Sequence, residues 1–119
     1  MRQAGVLAAA AMHALTHHMR RLVEDHANAR VLAERLATAA TGRGARVDLA
    51  NVETNLVLID VDVPAELVVR EARELGVLLM AAGTTRLRAV THLDVSRSDV
   101  EQAADVIGSA LEKARESGR

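Results

Sequence analysis

The sequence contains no cysteine and no phenylalanine, tyrosine or tryptophan, and it has a single proline. Without cysteine there is no disulfide, no thiol nucleophile and no thiolate metal ligand. Without aromatic rings the core must be built from Leu, Val, Ile, Met and Ala. Their absence also removes the stacking platforms on which unpaired bases are held, so a single-stranded nucleic-acid partner is not expected. No apolar run reaches membrane-spanning length; Ala4 to Ala11 is too short. The start has no charged, apolar and cleavage-site succession of the secretory kind, which predicts a cytoplasmic location and no membrane partner. Lysine is nearly absent too: Lys113 stands alone beside fourteen arginines.

What is present is a chain of 119 residues, half of them hydrophobic, with a net charge of −1. That length suits one domain with one modest core, and that hydrophobic content argues against disorder. The charge is unevenly placed. Residues 1–47 carry seven arginines against three acids, and residues 48–119 carry eight basic against thirteen acidic groups. A basic segment is compatible with an acidic partner or a phosphate, and equally with a solvated helix face.

Residues 2 to about 40 are rich in Ala and Leu and have no proline, which predicts helix. Leu15, Met19, Leu22, Val23, His26 and Arg30 fall at three- and four-residue steps, the expected stripe. Between residues 4 and 15 apolar side chains occur on nearly every side, and such a helix must be buried, here or against a partner. Thr41-Gly42-Arg43-Gly44 is the expected stop, and residues 45–54 read as a loop or short edge strand. Asn55 to Val63 alternate as a strand, with Val57, Ile59, Val61 and Val63 on one face and Leu58, Asp60 and Asp62 on the other. Pro64 fits the first turn of a helix that Gly76 ends. Val77 to Met80 and Arg86 to His92 read as strands around a turn at residues 82–85. Ser96 and Asp99 form a capping box, and the last helix runs to about residue 115 with Val100, Ala103, Ile107, Leu111 and Ala114 inward. The expected fold is α+β: a long N-terminal helix over 1–40, then a β-α-β-β-α layer over 45–119. Its sheet would be three-stranded and mainly antiparallel, with helices on one face.

Few residues offer chemistry. His13 and His17 share a helix face, but no acid or third histidine completes a metal set at suitable spacing, and His18 and His26 have less support; no metal is expected. No phosphate-binding glycine loop and no nucleophile elbow is present. Arg86 and Arg88 share one face of their strand with Val90 and His92. Two readings stay open: arginines on a solvated edge, or a planar guanidinium offered to a carboxylate or phosphate.

Several stretches together resemble a known family. They are Met1-Arg2-Gln3-Ala4-Gly5-Val6-Leu7, Leu22-Val23-Glu24-Asp25-His26-Ala27-Asn28-Ala29, Val52-Glu53-Thr54-Asn55 and Val90-Thr91-His92-Leu93-Asp94-Val95-Ser96. In this order they resemble the C-terminal small domain of the pyridoxal-phosphate-dependent threonine aldolases, in the aromatic amino acid beta-eliminating lyase/threonine aldolase family. The resemblance departs from the family at Leu56 to Ile59, where aromatic residues are common, and at the Gly83-Thr84-Thr85 turn.

The resemblance implies a fold-type-I small domain and cleavage of 3-hydroxy amino acids, such as threonine, to glycine and an aldehyde. It implies that Arg88 binds the substrate α-carboxylate and that Arg2 lies near the cofactor phosphate, of a neighbouring subunit. The family's cofactor-holding lysine, the histidine on the cofactor ring and the acid at its pyridine nitrogen all fall before the position of Met1. Lys113 corresponds to none of them. The chain is therefore expected to act as a fragment without the cofactor-binding large domain. It would hold no pyridoxal phosphate covalently, be inactive alone, and need a cofactor-domain chain or a homo-oligomer. The alternatives are a complementing subunit or a free-standing small-carboxylate binding module.

Overall fold

A computed structural model describes residues 1–39 and 42–118. Four helices and four strands follow one another as α1 (Ala4–His17), α2 (Leu22–Ala39), β1 (Ala45–Arg46), β2 (Leu56–Val61), α3 (Ala65–Glu74), β3 (Met80–Gly83), β4 (Arg86–Val90) and α4 (Arg97–Ser117), with a short 3-10 turn at Leu49–Asn51. The strands form one antiparallel sheet in the order β1-β2-β4-β3. The α+β expectation holds, but the sheet has four strands, not three. The fourth is the two-residue β1, too short for an alternating pattern, which pairs Ala45 with Val61 and Arg46 with Asp60.

Side-chain alternation sets the two faces of the sheet. Val57, Ile59 and Val61 of β2 and Leu87 and Ala89 of β4 are buried beneath the helices. Leu56, Leu58, Arg86, Arg88 and Val90 face out on the opposite side. The expected assignment of β2 and β4 to faces therefore stands. A strand was expected over Val77 to Met80; it forms at Met80–Gly83, where Met80, Ala81 and Gly83 pair with Arg88, Leu87 and Arg86 across a register shift between Ala81 and Gly83.

The single expected helix over 2 to about 40 is two helices, broken at residues 18–21 without any proline or glycine. The break also displaces the expected stripe. Leu15, Met19, Leu22, Val23, His26 and Arg30 are all exposed, whereas α2 buries Asp25, Asn28, Ala29, Leu32, Ala33 and Leu36. Those positions repeat at three- and four-residue steps of their own, so the helix is rotated to bring alanines and leucines onto β2 and α4. Of the expected stop, Thr41 lies outside the described residues; Gly42 and Gly44 take positive φ values of 82° and 72°, as chain reversals after helices commonly do.

α4 begins with the expected capping box: the Ser96 hydroxyl accepts from the Asp99 N–H, and Asp99 accepts from the Ser96 N–H at 2.9 Å. It buries Val100, Ala104, Ile107, Gly108, Ala110, Leu111 and Ala114; Ala103, expected inward, is only half-buried, with Ala104 taking the inner place. α1 buries nothing. It stands off the body as an arm, and the chain measures 54 × 29 × 24 Å with a radius of gyration of 16.2 Å, against about 13.5 Å for a compact domain of this length. No helix among the described residues is long and apolar enough to cross a membrane.

Candidate functional site: an open sheet face with one unpaired arginine

The outward face of the sheet is organised in two rows by the strand register. In the first, Arg46, Asp60 and Arg86 lie abreast on β1, β2 and β4. Asp60 holds Arg86 through Nε at 2.6 Å and meets Arg46 at 3.7 Å. The Arg86 guanidinium holds the Asp60 carboxyl below the usual carboxylate range, and Asp60 in turn raises Arg86. In the second row Leu58, Arg88 and Met80 lie abreast. Arg88 donates only to the Met80 sulfur, at 3.2 Å. Among the described residues no carboxylate neutralises it. A sulfur acceptor is weak and uncharged, so Arg88 keeps its capacity for a bidentate carboxylate.

The end of β4 is fixed by a polar knot. Thr91, 2 % exposed, donates its hydroxyl to the backbone carbonyl of Asp25 at 2.7 Å. Asn55 donates to the Thr91 carbonyl at 2.8 Å, and the Thr91 N–H reaches the Asn55 carbonyl at 3.0 Å. Asn28 donates to the Val95 carbonyl at 3.3 Å. Asp25 is itself buried and takes both terminal nitrogens of Arg21, at 3.0 and 3.1 Å. Three stretches far apart in sequence, around Asp25, Asn55 and Thr91, thus meet at one place. They tie α2 and β2 to the strand that carries Arg88. Pairwise spacing in the sequence gave no sign of the bonds that join these stretches, because each of them spans 36 residues or more; only the Arg21–Asp25 pair is local.

The remaining candidates are scattered. Arg2 is exposed just before α1, with no hydrogen-bond or ion-pair partner among the described residues, so it is not brought beside Arg88 by any contact. Gln3 next to it adopts a left-handed φ of 59° and starts the helix through the Leu7 N–H. His13, His17 and His18 gather at the end of α1, with ring centroids 4.4 and 5.4 Å from His13. No group of three or more histidine or carboxylate side chains among the described residues is placed to hold a metal ion. His92 is exposed and accepts from the Asp94 N–H at 3.3 Å. Lys113 is exposed on the outer side of α4 and lines none of the grooves that border the sheet and α4.

These residues do not make a pyridoxal-phosphate site by themselves. The chain's single lysine, Lys113, is exposed on α4, and the histidines gathered at the end of α1 have no contact with the sheet face that carries Arg88 among the described residues.

Comparison with known proteins places these features. The model of the beta-eliminating lyase family matches residues 1–64. The chain is 36% identical to low-specificity L-threonine aldolase 1 of Arabidopsis thaliana over its whole length, covering 34% of that protein. It is 40% identical to the low specificity L-threonine aldolase of Escherichia coli O157:H7 over 87% of the chain and 29% of the relative. The chain thus spans about a third of the curated relatives it matches. Among solved structures, a lysine aminotransferase from M. tuberculosis in the internal aldimine form superposes with a TM-score of 0.67 over 80% of this chain and 22% of that one, at 19% identity. That likeness identifies the fold as one found in fold-type-I enzymes. The chain belongs to the beta-eliminating lyase family, on its threonine aldolase branch.

Proposed function

We propose that this chain supplies the substrate-carboxylate anchor of a pyridoxal-phosphate-dependent threonine aldolase, which splits 3-hydroxy amino acids into glycine and an aldehyde. The observation that carries the reading is the charge inequality on the open sheet face. Arg86 is committed to Asp60, whereas Arg88, in the next row, is offered outward with only a thioether beside it. A planar guanidinium on a rigid central strand orients an α-carboxylate through two parallel hydrogen bonds. The likeness to low-specificity L-threonine aldolases supports that reaction.

The cofactor and its lysine belong, in this reading, to another polypeptide segment or subunit. α1 is where that segment would dock: Val6, Leu7, Met12 and Leu15 are exposed along an arm that buries none of its own residues. Arg2, just before the arm, then serves the cofactor phosphate of the neighbouring subunit. Both guanidinium roles use permanent charge and planar donors.

The test is reconstitution. The purified chain with pyridoxal phosphate and L-threonine is expected to release no acetaldehyde in a coupled alcohol dehydrogenase assay. Mixing it with the separately expressed cofactor domain of a threonine aldolase relative is expected to produce activity, which Arg88→Ala lowers through a raised KM by about 10- to 100-fold. Turnover by the chain alone, or a reconstituted enzyme indifferent to Arg88→Ala, would overturn the reading.

A further inference from the structure

The open face carries a second guanidinium that the proposed role of Arg88 leaves unused. Arg86 and Arg88 project from the same side of β4, two residues apart, which sets their Cα atoms about 6.5 Å apart. A short dicarboxylate can bridge such a spacing, and two arginines would ordinarily receive one. Here Asp60 lies opposite Arg86 in register, holds its Nε at 2.6 Å and offsets its charge. Beside them a groove of about 1020 Å³ has Asp48, Glu53 and Asp60 in its lining, together with Leu56, Leu58, Arg46 and Arg86. Its leucines and its three carboxylates suit an uncharged side chain, and of those carboxylates Asp60 is the one that holds Arg86.

We propose that Asp60 is a specificity-determining residue: it occupies Arg86 and repels a second carboxylate, so the Arg88 site admits amino acids with uncharged side chains and excludes acidic ones. The inference rests on Arg88 as a carboxylate anchor and deepens that reading. The mechanism is discrimination by repulsion. An acidic side chain reaching toward Arg86 meets the Asp60 carboxylate at close range and finds its guanidinium partner already engaged. Removing the Asp60 charge frees Arg86 and turns the pair into a receptor for two carboxylates. Arg46, only loosely held by Asp60 at 3.7 Å, adds positive charge to the same face and strengthens that conversion.

The experiment follows the arginine Nε–H resonances by NMR while acetate or succinate is titrated at constant ionic strength. In the wild-type chain Arg88 is expected to respond to both anions, with succinate binding no tighter than acetate beyond its statistical advantage. Asp60→Asn is expected to tighten succinate by about tenfold over acetate, and Arg86→Ala or Arg88→Ala in that background is expected to abolish the gain. Asp60→Ala, checked by circular dichroism, repeats the measurement without a side-chain amide that could still hold Arg86. If Arg88 responds to acetate but neither Asp60 variant favours succinate, or if the gain survives Arg86→Ala, this inference is overturned and the anchor reading stands. If Arg88 is silent toward acetate in the wild type, both fall.

Discussion

α1 and α4 are both alanine-rich helices, yet they end in opposite environments. α4 spans 21 residues and turns seven of them into the core. α1 spans 14 residues, carries no acid, lysine or arginine, and buries none. Hydrophobic content alone would put α1 inside and α4 outside. The difference lies in arrangement. In α4 the charged and polar residues Asp99, Glu101, Gln102, Asp105 and Glu112 keep off the stripe that carries Val100, Ile107, Leu111 and Ala114, so one side packs while the other is hydrated. In α1 no side is marked for water, and laying it on this small body would cover one flank and leave another bare. A helix of that kind calls for a surface that encloses it.

The comparison can be broken first at its strong end. Ile107→Ala in α4 removes a fully buried side chain and is expected to cost about 2–5 kcal/mol by denaturant unfolding. A cost below about 1 kcal/mol would mean that α4 does not organise the core. Next, Thr91→Val keeps the shape of a buried residue but leaves the Asp25 carbonyl without its donor. A loss of about 1–2 kcal/mol is expected, largely recovered by Thr91→Ser; an equal loss in both variants would show that the hydroxyl is not the stabilising group.

Acid sharpens the contrast between body and arm. Asp60, Asp62 and Asp99 are all held below the ordinary carboxylate value of 3.8: Asp60 by Arg86, Asp62 by Arg115, and Asp99 by hydrogen bonds from Ser96. Their folded-state values lie below the unfolded ones, so their stabilisation is complete above the usual carboxylate range and fades as pH falls through the depressed values. The melting temperature is therefore expected to be flat above about pH 5 and to fall below about pH 4. Asp60→Asn and Asp62→Asn together should flatten that decline; an unchanged acid profile in the double variant would remove these pairs from the account.

The smallest effect belongs to the arm. Val6→Ser with Leu7→Ser is expected to change the unfolding free energy of the isolated chain by less than about 0.5 kcal/mol. The same substitutions are expected to weaken reconstitution with a cofactor domain. A large loss of stability would instead mean that α1 folds back on the body.

Much of the body can be read directly from residue order. Alternation in Leu56–Val61 and Arg86–Val90 assigns their faces, Pro64 and Gly76 bracket α3, and Ser96 with Asp99 starts α4. These are local signals, each complete within a few residues. The break at residues 18–21 has no such signal: no proline or glycine marks it, and only the packing of Ala29, Leu32 and Leu36 reveals that α2 has its own rotation. β1 is the short edge strand that residues 45–54 left open beside a loop; its two-residue extent is set by Asp60 and Val61, which pair with it. Of the site, the shared face of Arg86 and Arg88 follows from strand periodicity. Which arginine is occupied follows from the register that sets Asp60 opposite Arg86 and Leu58 opposite Arg88, and register is a property of two strands together.

A core assembled without rings has an optical consequence. With neither tryptophan nor tyrosine, the folded chain has almost no near-ultraviolet absorption or intrinsic fluorescence. Any such signal in a mixture comes from whatever has joined it, a chromophoric cofactor or a tryptophan-bearing partner. The wholly aliphatic packing of Leu36, Ile59, Leu87, Ile107 and Leu111 leaves this chain dark, so the binding of any chromophore or tryptophan-bearing protein can be watched against it without a label.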